Sequence, residues 1–239
     1  LTTTIVPGAV RSPDTIVVVN CAGRTRSILG AQSLRNAGLP NPVYALKNGT
    51  MGWHLAGLRT DRGRENLLDE PTGEGLARAQ RMAAEVARRW GVSVVDRAML
   101  ECWRADASRT TYLFDVRLPE AFAAGHLPGS LNAPGGQLVQ ATDTFAAVRH
   151  ARIVLVDRHA VQAPMTAHWL GQMGWSDVHV LAGGLDGPLE SGPVRVPALG
   201  EDRLTAEAID VAGLADALAR AAVRVVDVGD SYWYRSARI

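Results

Sequence analysis

Cys21 follows the valines at 17–19 and Asn20, and it opens the stretch Cys21-Ala22-Gly23-Arg24-Thr25-Arg26-Ser27. A thiol, a glycine, two guanidinium groups and a hydroxyl within seven residues are the parts of an anion-handling nucleophile. Successive backbone N–H groups of a short loop curl around an anion, and the N-terminus of a following helix adds partial positive charge. Arg24 and Arg26 add full charges. All of these favour thiolate over thiol, and the thiolate is the nucleophile. Gly23 allows a tight loop with unusual dihedrals. The same cradle suits an anionic substrate, or an anionic persulfide on the sulfur itself. The competing reading makes Cys21 a small apolar residue that ends a strand; the flanking arginines and the strand–loop–helix context argue against it. The second cysteine, Cys102, stands in a helical pattern beside Trp103, without a loop or a helix start, and is expected to pack in a core.

A cysteine loop of this kind needs a scaffold. In an open α/β sheet, ligands bind just beyond the carboxyl ends of the strands. Strands are expected at 15–20, 111–116, 152–156 and 223–228, all rich in consecutive apolar residues and so suited to cover on both faces. Shorter ones are expected at 43–46 and 178–181. Helical patterns cover 27–37, 97–105, 163–173 and 206–221. Strand alternating with helix predicts a mostly parallel α/β fold. Residues 59–75 read as a linker, 76–90 as an arginine-rich amphipathic helix, and 191–201 as a second linker.

The chain repeats itself. Residues 17–39 resemble 153–175, so that Cys21 falls on Asp157 and Gly38 on Gly174, 136 residues apart in each case. Residues 44–49 match 179–184 after one deletion. Residues 112–127 match 224–239, with Asp115 on Asp227. This divides the chain into four parts. Residues 1–58 are the back half of a unit with the cysteine loop, and 59–90 are a linker and bridging helix. Residues 91–193 are a complete unit without the cysteine. Residues 194–239 are a linker and the front half of a third unit. The sequence reads as a piece of a longer tandem array, and its two half-units are complementary enough that 202–239 packing onto 1–58 is an expectation.

These motifs resemble the rhodanese family of sulfurtransferases. The resemblance is carried by 21–27, by Leu-Lys-Asn-Gly-Thr-Met-Gly-Trp at 46–53, and by 115–134, with Asp-x-Arg, an aromatic, then Gly-His-x-Pro-Gly-Ser. It implies tandem domains, each a five-stranded parallel sheet with helices on both faces. It implies that Cys21 takes a sulfane sulfur from thiosulfate or a similar anionic donor, releasing sulfite. The resulting persulfide is passed to cyanide or a thiol acceptor. It further implies that Ala22, Gly23, Arg24, Thr25, Arg26 and Ser27 bind the substrate, with no metal and no organic cofactor. Met51 and Trp53 are expected either to wall the pocket or to pack in the core.

The departures from the pattern are informative. Asp157 occupies the cysteine position of the complete unit. A carboxylate cannot carry sulfur, so this unit is expected to be a degenerate site in which Asp157 accepts loop N–H groups as a built-in anion. Such a unit is a candidate binding or regulatory module. His126 is expected to be structural near a tight turn. Asp115, Arg117 and Glu120 are expected to form a hydrogen-bonded turn and ion pair, and His168 to lie on the helix after the Asp157 loop. A related phosphatase or arsenate reductase is the rival within the fold. It needs an arginine after five intervening residues; here Arg26 follows after four, and the sixth position is Ser27.

Composition sets the outer bounds. The 239 residues are 47% hydrophobic, with 25 basic and 24 acidic side chains and a net charge of +1. That balance offers no electrostatic footprint for nucleic acid or a membrane surface. No apolar run approaches a spanning helix, and no signal peptide is expected. Two cysteines without short-range partners suit neither a disulfide framework nor a metal site, and point to a cytoplasmic protein.

Overall fold

Residues 152–156, Arg-Ile-Val-Leu-Val, form the middle strand of a five-stranded sheet in the computed structural model of the chain. The structure describes residues 2–10, 12–63, 68, 71–194, 200, 203, 207–221 and 223–226. The chain divides into two units, 1–194 and 195–239. The first contains, in order, α1 (Thr2–Ala9), β1 (Val17–Val19), α2 (Thr25–Asn36), β2 (Val43–Ala45), α3 (Gly49–Leu55) and α4 (Gly73–Arg89). It continues with β3 (Ser93–Val95), α5 (Arg97–Ala105), β4 (Thr111–Asp115), α6 (Pro119–Ala124), β5 (Leu131–Asn132), α7 (Gly135–Gln140), α8 (Thr142–Phe145), β6 (Arg152–Val156), α9 (Gln162–Gln172) and β7 (Val178–Leu181).

The larger sheet has the order β3-β7-β6-β4-β5, and every pairing in it is parallel. Alternation along β4 and β6 explains its two covered faces. Leu113, Val154 and Val156 join Leu100, Leu127 and Leu181 on one side. Phe114, Ile153 and Leu155 join Leu138, Ala163, Ala167 and Leu170 on the other. Residue patterns point to β4, β6 and β7 but not to β3 or β5. Those two are edge strands of three and two residues, too short for a periodic signal.

A smaller parallel sheet pairs β1 with β2, Val17 against Val43. Here one expectation fails. Strand β1 is covered on one face only, and Val18 is 57% exposed. Its covered face packs Val19 and Val43 against Ala31, Leu34 and Leu39.

Helix α9 is buried on two sides. It lies on the larger sheet through Leu170 and against α4 through Val161 and Met165. The stripe Ala79, Ala83 and Val86 gives α4 the small surface this needs. Helix α4 begins three residues before the expected 76, inside the supposed linker. Its Gly75 meets Gly8 of α1 so closely that a Cβ there would lie 3.0 Å from the Gly8 Cα.

Cys102 corrects a second expectation: it is exposed. Helix α5 turns Leu100 fully inward, and the residue two positions on points away from it. In the second unit α10 (Val211–Ala219) is capped by Asp210, whose carboxylate accepts from Gly213 N at 2.7 Å. Residues 223–226 are not strand; Asp227, Val228 and the rest of the expected front-half motif lie outside the described residues.

Candidate active site

Strand β1 delivers Cys21 to the carboxyl end of the small sheet, and α2 begins four residues later, at Thr25. The half-buried thiol lies 3.5 Å from the Ser27 hydroxyl. Ser27 is buried in the first turn of α2 and donates to the Arg24 carbonyl at 2.8 Å. Desolvation pushes the Cys21 pKa up. The Ser27 hydroxyl, the N–H groups of Ser27 and Gly23 and the charge of Arg26 pull it down, and the net result is a lowered value. The loop thus acts on the sulfur through Gly23, Arg26 and Ser27. Ala22, Arg24, Thr25 and Arg26 are exposed, and of these Arg26 acts on the sulfur through its charge.

The loop is held from below by residues that the reading of single side chains passed over. Thr50 N donates to the Cys21 carbonyl at 2.9 Å, and Met51 N to the Ala22 carbonyl at 3.0 Å. These are N–H groups of the first turn of α3, which need partners outside their own helix. Tying the loop carbonyls downward leaves its N–H groups to face the sulfur. Gly49, at φ +57°, makes the approach possible: a Cβ there would lie 2.1 Å from the Cys21 oxygen. The Asn48-Gly49 pair after a strand was the available signal, since both residues have positive φ.

The Asp157 loop has a similar floor. Gly184, at φ +54°, would place a Cβ 2.7 Å from the Asp157 oxygen. Asp157 is buried, and one carboxylate oxygen accepts from Val161 N at 3.0 Å and from Gln162 N at 2.8 Å. An acceptor side chain therefore sits at the start of α9 where the thiol sits before α2.

Cys21 and Arg26 open on a cavity of about 440 Å³. Helices α2, α7 and α9 line it, with Leu29, Val139 and Trp169 among the contributors. Met51 and Trp53 do not. They are 62% and 41% exposed, because α3 meets the loop through its backbone, and Trp53 donates to the Arg59 carbonyl at 2.9 Å.

The other polar candidates are tied into the larger sheet's turns. Arg117 grips the Asp115 carboxylate with Nε at 2.9 Å and Nη2 at 2.6 Å, and also donates to the Gly125 carbonyl at 2.6 Å. Glu120 stands outside this group, exposed in the first turn of α6. His126 is buried, stacks on Phe122 with ring centroids 3.9 Å apart, and its Nδ1 lies 3.0 Å from the Phe122 carbonyl. Among the described residues, no group of three His, Cys, Asp or Glu side chains is placed to hold a metal ion.

Residues 97–189 match the family model of the rhodanese-like domain. A solved structure titled thiosulfate sulfurtransferase from Pseudomonas aeruginosa is 48% identical, with a TM-score of 0.80 over 91% of this chain and 41% of that one. The chain belongs to the rhodanese family. It spans about two fifths of the length of that Pseudomonas relative. A rhodanese from E. coli, solved with anions, is 23% identical over 35% of this chain and 100% of its own, with a TM-score of 0.31. A human single-domain sulfurtransferase is 24% identical over 39% of this chain and 92% of its own, with a TM-score of 0.34. No curated protein sequence matches. The family model covers four strands of the five-stranded sheet, β4 to β7, and Asp157, while β3 and the cysteine loop lie outside the matched residues.

Proposed function

We propose that the chain carries a sulfurtransferase centre on Cys21, moving a sulfane sulfur from thiosulfate or a similar anionic donor to a thiol or cyanide. The observation that supports it most is the place of the Cys21 thiol between β1 and α2, 3.5 Å from the Ser27 hydroxyl and, with Arg26, at the mouth of the cavity; Ser27, Gly23 and Arg26 there favour its thiolate. The Cys21 thiolate attacks the outer sulfur of thiosulfate. An S–S bond forms to Cys21, the sulfur–sulfur bond of thiosulfate breaks, and sulfite leaves with the electron pair. The loop N–H groups and Arg26 that favour thiolate also suit the anionic persulfide. Asp157 has no sulfur to offer, so the five-stranded unit is inert in this step and serves as a structural or binding module. On this reading 1–58 is the back half of one rhodanese-like domain, 59–90 a connector, 91–193 a complete domain, and 194–239 the start of another.

The test is mass spectrometry of the intact chain after incubation with thiosulfate, with peptide mapping. The expected result is a gain of one sulfur on Cys21, absent in Cys21→Ser. Turnover by Cys21→Ser would overturn the assignment. A parallel phosphatase assay separates the rival whose arginine would sit one residue later.

A further inference from the structure

Two walls of the cavity beside Cys21 are one kind of surface used twice. Arg26, Leu29 and Ser33 of α2 line one side, and Gln162, Met165 and Trp169 of α9 line the other. The members of each pair are 136 residues apart, the spacing that relates Cys21 to Asp157. The helices meet on this line through Trp169 Nε1, which donates to Ser33 Oγ at 2.8 Å. Like positions facing like positions are what two-fold packing produces. The chemistry across the line is unequal, however. The charge of Arg26 on the Cys21 side is answered by the neutral amide of Gln162, and Gly30 by Thr166.

The size of the space bears on what fills it. About 440 Å³ lies within the range of organic-ligand pockets, roughly 300–1,000 Å³. A single tetrahedral anion such as thiosulfate occupies a small part of it. Much of the remaining wall is apolar: Leu29, Val139, Met165 and the Trp169 indole.

We propose that this cavity receives an organic thiol with an apolar body as the sulfur acceptor, and that Gln162 and Trp169 are positioning residues for it. The proposal rests on the reading of Cys21 as a persulfide carrier. The acceptor thiolate attacks the outer sulfur of the persulfide, and a new S–S bond forms to the acceptor. The bond between that sulfur and Cys21 breaks, and its electron pair returns to Cys21 as thiolate. The transferred sulfur keeps the persulfide's proton or charge, so no oxidant or reductant enters. The five-stranded unit, which lacks a nucleophile at Asp157, then contributes half of the acceptor wall.

The experiment loads Cys21 with thiosulfate in the full chain, in a Cys102→Ser background, and follows discharge to 2-mercaptoethanol and to 6-mercaptohexanol at equal thiolate concentration. Burial of the extra methylenes should make the longer thiol at least about tenfold faster. Gly136 lines the cavity, and a Cβ there meets nothing within 4 Å. Gly136→Leu therefore fills the space without a backbone clash and should bring the ratio close to one. Gln162→Leu should raise the half-saturation for the longer thiol more than it changes the saturated discharge rate. A wild-type ratio near one, or a ratio that survives Gly136→Leu, overturns the proposal. Failure of thiosulfate to load Cys21 overturns the persulfide reading instead. The cavity is then judged by alkylation of Cys21 with N-ethylmaleimide against a longer N-alkylmaleimide, where loss of the preference in Gly136→Leu supports the pocket and no preference rejects it.

Discussion

Desolvation and hydrogen bonding pull the Cys21 thiol in opposite directions, and hydrogen bonding wins. The Ser27 side chain reaches the sulfur, at 3.5 Å. When the thiol ionises, the hydroxyl that otherwise donates to the Arg24 carbonyl can turn its proton to the thiolate. Ser27→Ala removes that donor and keeps the N–H of residue 27. The expected outcome is a Cys21 alkylation profile displaced to higher pH, with the iodoacetamide rate at neutral pH falling about three- to tenfold, since one pKa unit is a factor of ten in thiolate fraction. The measurement is the pH–rate profile in a Cys102→Ser background, because Cys102 is exposed and would contribute its own signal. A profile identical to that of the parent protein would remove Ser27 from the account. The placement of the thiol in a loop between a strand and a helix was legible in the sequence. Cysteine, glycine, arginine and serine types at close spacing announce an anion cradle. Which of the loop residues act on the sulfur was not legible, because that depends on how the loop is folded.

Two glycines separate the cost of a backbone shape from the cost of a collision. Gly49 opens α3 and Gly57 follows its end, with φ of +57° and +74°. A Cβ on Gly57 meets nothing within 4 Å, whereas one on Gly49 would lie 2.1 Å from the Cys21 oxygen and 2.4 Å from the Gly23 oxygen. Gly57→Ala is expected to lose about 1 kcal/mol of stability from left-handed strain alone. Gly49→Ala carries the same strain and must also push the loop from its floor. Cys21 reactivity at neutral pH should fall at least about tenfold in Gly49→Ala and stay near the parent value in Gly57→Ala. Equal reactivity in the two variants would mean that α3 does not hold the loop. At this scale the sequence was legible where periodicity is long. Strands β4 and β6 and helices α2, α5 and α9 are found at or near their expected places. Edge strands β3 and β5 were not legible, because strands so short show no period. Met51 and Trp53 were misplaced because pocket lining depends on which way α3 faces, and backbone contacts rather than side-chain character decide that.

His168 joins the segment that carries Cys21 to the five-stranded sheet. It lies on α9, fully buried, with Nδ1 2.5 Å from the Met165 carbonyl and Nε2 3.2 Å from Asn36 Nδ2 of α2. A carbonyl can only accept, so Nδ1 carries the proton and Nε2 accepts from the Asn36 amide. Protonating Nε2 would turn that acceptor into a donor facing a donor. Burial lowers the His168 pKa, against a smaller raising effect of the Met165 carbonyl, from 6.5 to about 4. The folded chain therefore resists a proton that the unfolded chain takes up near pH 6.5. Stability attributable to this group is complete above pH 6.5, falls as the pH drops from there to about 4, and levels off below. By pH 5 the loss should reach about 2 kcal/mol. His168→Gln is neutral throughout and provides the comparison, its lower baseline cancelling when each protein is referred to its own value at pH 7.5. Urea unfolding of both proteins at pH 7.5 and pH 5 reads the difference. The parent protein should lose about 2 kcal/mol more than the variant across that interval. Parallel losses would show that the acid sensitivity comes from other titrating groups and that the Asn36–His168 contact does not depend on protonation. Trp169, the next residue, bonds to Ser33 on the same helix pair. The larger acid loss should therefore be accompanied by increased exposure of the cavity beside Cys21, seen as faster reaction of Cys21 with the longer maleimide once the rates are corrected for thiolate fraction.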